Sequence, residues 1–257
     1  MQRTSIAFGR TASAIAVALL LGIAMTPTAQ AALPVDLGAF YARDCVEVSA
    51  IVSVPPADAA AALPAGYNSS SFIGLPGGPG LPGNSSLLMG VETCQSGTIG
   101  GVPFDGPFAF GERVLSVDRH DATPGYHFYA LEQVTDNKKI YDLMNGAGFD
   151  IAYLPGVGAT ADSAGGVSEG GSVRIEDRAP LPQLPSPLDQ VSIWNETDSA
   201  TNVLRLVVHH PTAQAGVGYV SAEAGSVVAG LMGSEESTGI GAINRFDFEA
   251  RVQSVSR

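Results

Sequence analysis

CVEVSAIVSV, residues 45–54, alternates residue by residue. Val46, Val48, Ala50, Val52 and Val54 fall on one side. Glu47, Ser49 and Ser53 fall on the other, with Ile51 as the exception. Successive side chains point to opposite faces of a strand, so period two predicts a strand with one buried face. The same pattern recurs along the chain. SLLMGVETCQSGTI (86–99), FAFGERVLSVD (108–118), YHFYALEQV (126–134), FDIAYL (149–154) and SVRIED (172–177) read as strands, as do QVSIWNET (190–197), NVLRLVVHH (202–210) and GVGYVSAE (216–223). The end, RFDFEARVQSV (245–255), alternates again, with Phe246, Phe248, Ala250 and Val252 on one side.

Helix signals are few. TDNKKIYDLMNGAG (135–148) is the best, with Asp136 as its expected N-cap, Ile140, Leu143 and Met144 on one stripe, and Gly146 or Gly148 at its end. Short helical turns are expected near 57–63 and within GSVVAGLMG (225–233). Parallel βαβ units would need a helix after nearly every strand, and those helices are missing. The fold class is therefore mostly β with minor α: one antiparallel β-barrel or barrel-like sandwich with a few short helices. APLPQLPSPLD (179–189) reads as an extended crossing over that domain. GLPGGPGLPGNSS (74–86) holds four glycine triplets, too short a register for collagen, and reads as a loop between strands.

Residues 1–31 have the layout of a secretory signal. Arg3 and Arg10 precede an apolar run, and AQA at 29–31 is a small-residue cleavage site. Residues 32–257 then form the mature β-barrel domain, secreted or periplasmic and soluble, with no stable membrane insertion after cleavage. That part holds 11 basic against 25 acidic residues, a surface that repels phosphate backbones and excludes nucleic acid as a partner. The two cysteines, Cys45 and Cys94, are expected to pair in an oxidising compartment. The sequence is silent on oligomeric state. Asn68, Asn84 and Asn195 sit in glycosylation sequons, relevant only in a host that uses them.

Chemical motifs are sparse. GVGATA (156–161) matches a dinucleotide-binding spacing, but the glycine-rich stretch after it cannot start the helix that such a site needs. No P-loop, nucleophile elbow or HExxH is present, and the histidine spacing does not make a metal site, so neither cofactor nor metal is expected. His210 shares a strand face with Leu204, Leu206 and Val208. If that face lines an interior, His210 is a general base or ligand anchor. Lys138 and Lys139 are the only lysines. A lysine beside a second cation can have a lowered pKa and form Schiff bases, although these two fall on the polar side of a helix. Trp194, the only tryptophan, can stack on a ligand or pack in a wall.

The strand CVEVSAIVSVPP running into ALPAGY (62–67) resembles the entry of acetoacetate decarboxylase-like β-barrel proteins. The 135–148 helix between strands, and GSVVAGLMG before a last long strand, fit the same comparison, closest to secreted relatives of that fold. The resemblance implies a barrel, and it implies a catalytic lysine pair just before a Gly-aromatic-Pro element; Lys138 and Lys139 form such a pair, but eight residues separate it from Gly148-Phe149 and Asp150 replaces the proline. The family's active-site arginine and glutamate have no matching position. Two functions are expected from these residues. One is binding of a small, largely apolar molecule in a cavity lined by Tyr129, Trp194, Leu206 and His210. The alternative is a decarboxylase-like or other lyase or hydrolase acting on a carbonyl or carboxylate compound, with Lys138, Lys139 or His210 as its reactive group.

Overall fold

The computed structural model describes residues 34–71, 84–118, 121, 123–161, 163–165, 170–176, 184–185, 190–198 and 200–256. The signal-like segment and most of the 74–86 loop lie outside them. In chain order, the described residues form β1 (Val35–Val54), α1 (Pro56–Ala62), β2 (Ser85–Ile99), β3 (Val102–Pro103), β4 (Phe108–Ser116) and β5 (Tyr126–Thr135). Then come α2 (Lys138–Gly146), β6 (Ile151–Tyr153), β7 (Gly158–Ala159), β8 (Ser163–Gly165), β9 (Ser172–Glu176) and β10 (Leu184–Pro185). The chain ends with β11 (Gln190–Glu196), β12 (Ala200–Ser221), α3 (Val227–Met232) and β13 (Glu236–Ser256).

Seven strands close into a ring. Their order is β11-β5-β4-β2-β1-β13-β12, and β12 pairs back onto β11. All ring pairings are antiparallel except β11 with β5. Closure removes the open edges that make a flat sheet sticky. The long strands β12 and β13 run past the ring, and there β9, β8 and β7 add to β12. β9 and β11, on either side of the 179–189 stretch, both pair with β12, and β10 inside that stretch does too.

The helices follow their local signals, with one difference. Asn137, not Asp136, caps α2, its side chain accepting from the amides of Lys139 and Ile140. Asp136 instead accepts from the Ala109 amide at 2.7 Å, tying the start of α2 to β4. Gly148 follows α2 at φ +89°, a conformation costly for any other residue. Ser226 caps α3 and Gly233 closes it at φ +70°. GVGATA forms the strand β7 rather than a helix start.

Two cores share the wall. Inside the ring, Phe40, Phe110, Phe128, Ile193, Leu204 and Phe248 pack together, with Ile140 and Met144 of α2 closing one side. Outside it, Val48, Val52, Leu87 and Met89 of β1 and β2 pack beneath Val173 and Ile175 of β9 and Val228 and Leu231 of α3. Each such buried aliphatic or aromatic side chain contributes about 1.5–3 kcal/mol. The valine side of residues 45–54 therefore faces an outer layer, and its polar side faces the barrel interior. That outcome depends on a bulge in β1. Asp44 takes φ +52° and the β1–β13 register shifts between Ala42 and Cys45. Phe40 and Ala42 before it and Cys45 after it all point inward. Cys45 and Cys94 lie directly opposite across β1 and β2 and form a disulfide. Of the sequons, Asn68 and Asn84 are exposed and Asn195 is buried.

Candidate functional site

Every strand of the ring contributes to one cavity: Glu47 from β1, Glu92 from β2, Glu112 from β4, Phe128 from β5, Val191 from β11, Leu206 from β12 and Phe248 from β13 are among its walls. It is thus the barrel interior. About 60 Å³ is open to the centres of water molecules, which is room for about four to six waters or a ligand of similar size. Aromatic and aliphatic side chains make most of the wall. The polar groups are Glu47, Glu92, Glu112 and Asn244.

The three glutamates meet because of strand register. Glu47 and Glu92 are direct partners across β1–β2. Glu112 lies opposite Gly90 on β2, one diagonal step from Glu92. Gly90 is what lets Glu47 reach over: a Cβ there would sit 3.0 Å from Glu47 Oε1. Asn244 on β13 donates from Nδ2 to Glu47 Oε2.

Burial in this wall sets their charge. Each glutamate is half-buried, its exposed part bordering the cavity and the rest packed in the barrel wall. Burial, and then the negative neighbour Glu47, push the Glu112 carboxyl up to about 8. Glu92 is pushed well above the ordinary carboxylate range by burial first, then by Glu47 and Glu112. Burial raises Glu47 as well, while hydrogen bonds from Asn244 and Ser49 pull it back toward the charged form. Three acids in one low-dielectric space cannot all ionise near neutral pH, so they share protons as a set. Glu47 is the member best supported as an anion, and Glu112 holds its proton at pH 7.

Among the described residues no lysine, arginine or histidine lines the cavity. The buried cation closest in sequence, Arg113, points to the other face of β4 and pairs with Glu132 at 2.9 Å. Among the described residues no group of three or more His, Cys, Asp or Glu side chains is arranged to hold a metal ion.

Of the residues singled out in the sequence, Leu206 lines the cavity. Lys138 and Lys139 lie on the solvent side of α2, because Ile140 and Met144 take the buried side. Their side chains are 59% and 43% exposed and pair with Asp142 and Asp105. His210 is exposed at φ +54°, inside a bulge of β12 between His209 and Thr212. The bulge breaks the alternation that would have carried it inward, and Pro211 meets the cavity instead. Trp194 and Tyr129 belong to a separate cluster with Tyr67, Val117 and Val203. There the Trp194 indole donates to His127 Nδ1 at 3.0 Å and lies under the Arg205 guanidinium.

The glutamates themselves were missed. Glu47 looks like an ordinary solvent-side residue of an alternating strand. Glu92 and Glu112 interrupt apolar strands, at VETC and FGER, and an acid at an otherwise buried parity was the available signal.

No family model matches the chain, and no curated protein matches it. Solved structures do. An acetoacetate decarboxylase from Legionella pneumophila shares 11% identity at a TM-score of 0.53, over 86% of this chain and 88% of that one. A second acetoacetate decarboxylase structure shares 7% identity, also at 0.53, over 84% and 87%. The enduracididine biosynthesis enzyme MppR, complexed with the condensation product of pyruvate and imidazole 4-carboxaldehyde, shares 13% at 0.51, over 95% and 97%. Such low identity speaks of the backbone and leaves activity to the site. The chain has the acetoacetate decarboxylase-like β-barrel fold.

Proposed function

We propose that this protein is an exported enzyme acting on a small carbonyl compound, with enolisation by proton transfer inside the barrel as the step its residues support, whether that enol is the product or the start of a lyase reaction. One observation carries the reading: Glu112 keeps a proton to about pH 8 beside Glu47, which burial also raises but which, unlike Glu112, accepts hydrogen bonds from Asn244 and Ser49 that offset part of that rise. Two neighbouring carboxyls with different hydrogen-bond surroundings can divide the roles of acid and base. Glu47 takes a proton from the carbon next to the substrate carbonyl. Glu112 donates a hydrogen bond, and then its proton, to the carbonyl oxygen. The likeness in fold to decarboxylase structures agrees with carbonyl chemistry. A Schiff-base route does not fit, because both lysines of the chain sit outside the barrel on α2.

A panel of small aldehydes and ketones in D₂O, followed by proton NMR, tests this. Exchange of hydrogen next to the carbonyl is expected, and Glu112→Gln should slow it by about 10²–10⁴-fold. No exchange across the panel rejects the reading. A compound that binds without exchange favours a carrier of small apolar molecules, for which the largely aromatic and aliphatic wall speaks.

Export rests on the signal-like residues 1–31 and agrees with the disulfide. The mass of protein recovered outside the cytoplasm should correspond to a chain beginning at Ala32. An intact N-terminus would count against it.

A further inference from the structure

Gly90 lies in the middle of β2 with unbroken pairing on both sides, opposite Ser49 of β1 and Glu112 of β4. Its φ lies outside the left-handed region, so the backbone there does not require glycine. A glycine inside a regular strand marks a place that another group approaches closely. Here the missing side chain leaves a notch in the cavity wall, with the Glu47 carboxyl at its rim. A Cβ built at Gly90 would lie 3.0 Å from Glu47 Oε1 and 3.3 Å from Ser49 Cβ. The carboxyls around the notch are acceptors with capacity to spare. Glu47 accepts from Asn244 and Ser49, but no described group bonds to the carboxyl of Glu92 or Glu112.

Taking the cavity as a ligand site, as above, we infer that it takes a small amine as the ammonium ion, its head seated over Gly90 among Glu47, Glu92 and Glu112 and its short apolar chain against the facing wall. The cavity is two-sided in this way. β1, β2 and β4 supply the acids, while β5, β11 and β12 supply only apolar side chains, among them Phe128, Val191 and Leu206. A primary ammonium carries three N–H donors and no acceptor, as a lysine head does, which matches a wall of carboxyls. It also brings the positive charge that the lining side chains lack, and a carboxylate out of bulk water is costly until paired. The same acids are not arranged to hold a metal ion, and aromatic walls suit an organic cation. The seat overlaps the acids assigned to proton transfer, so a bound amine would inhibit that reaction, but its binding requires the cavity and not the reaction.

Propylamine and propan-1-ol, of equal heavy-atom count, test this when binding to the full chain is read by ligand-detected NMR. Propylamine stays an ammonium ion from pH 6 to 8.5, as a lysine does. At pH 8 it should bind at least tenfold more tightly than propan-1-ol. Its affinity should rise at least tenfold from pH 6 to 8.5, because Glu112 gives up its proton near pH 8 and a cation beside it draws that proton off earlier. Ordinary surface carboxylates are ionised throughout this range, so attraction to the outer surface would not follow that rise. Glu47→Gln keeps the shape and removes the charge, and should weaken propylamine at least tenfold while leaving propan-1-ol within threefold. Gly90→Ala fills the notch and should weaken propylamine as much. Propan-1-ol binding as tightly as propylamine overturns the inference, as does an affinity level with pH or a folded Glu47→Gln protein that binds propylamine unchanged. The wild-type comparisons stand even if both variants fail to fold. Bound propylamine with no exchange across the carbonyl panel rejects the enzyme reading alone, and carbonyl exchange without propylamine binding rejects this inference alone.

Discussion

The melting temperature should fall steadily as pH rises from about 5 to about 8. Glu112 loses its proton near pH 8 in the folded protein, against an ordinary value of 4.5. Below about 4.5 both states hold the proton and stability is fully present. Between the two values the unfolded chain has released a proton that the folded chain keeps, so each step up in pH favours unfolding. The slope is at most about 1.4 kcal/mol per pH unit for this one group. For a domain of this size that is about 3–5 °C per unit. Glu92 acts in the same direction, because burial first and then its two acidic neighbours raise it. Asp121 acts oppositely but outside this window. Partial burial raises its carboxyl, yet the Thr123 amide and the Arg205 guanidinium outweigh that and hold it below 3.8. Its contribution is lost only in stronger acid. Glu112→Gln removes the carboxyl that titrates near 8, so it should flatten the profile and melt above the wild-type protein at pH 8. Thermal melts of both proteins from pH 5 to 8 check this, and a wild-type profile that is level or rises with pH would refute the assignment of a buried, protonated set.

Loss of the disulfide should be comparable in size. Cys45 and Cys94 are 49 residues apart. Releasing a loop of that length costs about 4 kcal/mol on the chain-entropy estimate. Replacing both, as Cys45→Ala with Cys94→Ala, should therefore lower the melting temperature by about 8–16 °C. The double variant is the fair test, since a single change leaves a reactive thiol. The bridge also bears on the site. Glu47 and Glu92 pair two residues further along the same two strands, so the cross-link fixes the register that sets one acid against the other. Removing it should shallow the pH slope as well as lower the melting point. A variant melting within about 3 °C of the parent would mean that strand pairing alone holds this edge of the ring.

Much of the fold was legible because its signals are local. Alternation in 45–54 and 245–255 marks strands whatever surrounds them. The apolar stripe of Ile140, Leu143 and Met144 and the glycines that follow place α2 within a few residues. The choice of Asp136 over Asn137 as cap failed because Asp136 is used elsewhere, by the Ala109 amide of a strand 27 residues earlier. His210 failed for a similar reason. Parity was counted correctly from Leu204, but a bulge after His209 resets the count, and no residue pattern announces it.

The amino-acid order by itself determined that this is a chain of strands with two faces each, that its cysteines are placed to pair, and that its lysines belong to a polar helix face. Which face of each strand became the inside was decided only in three dimensions. Period two distinguishes the faces without saying which of them the sheet curls around. Closure of β12 onto β11, together with a second layer over the outer valines, turned the polar side of 45–54 inward. It gathered Glu47, Glu92 and Glu112, from three strands spread over more than sixty residues, around one cavity where each raises the proton affinity of its neighbours.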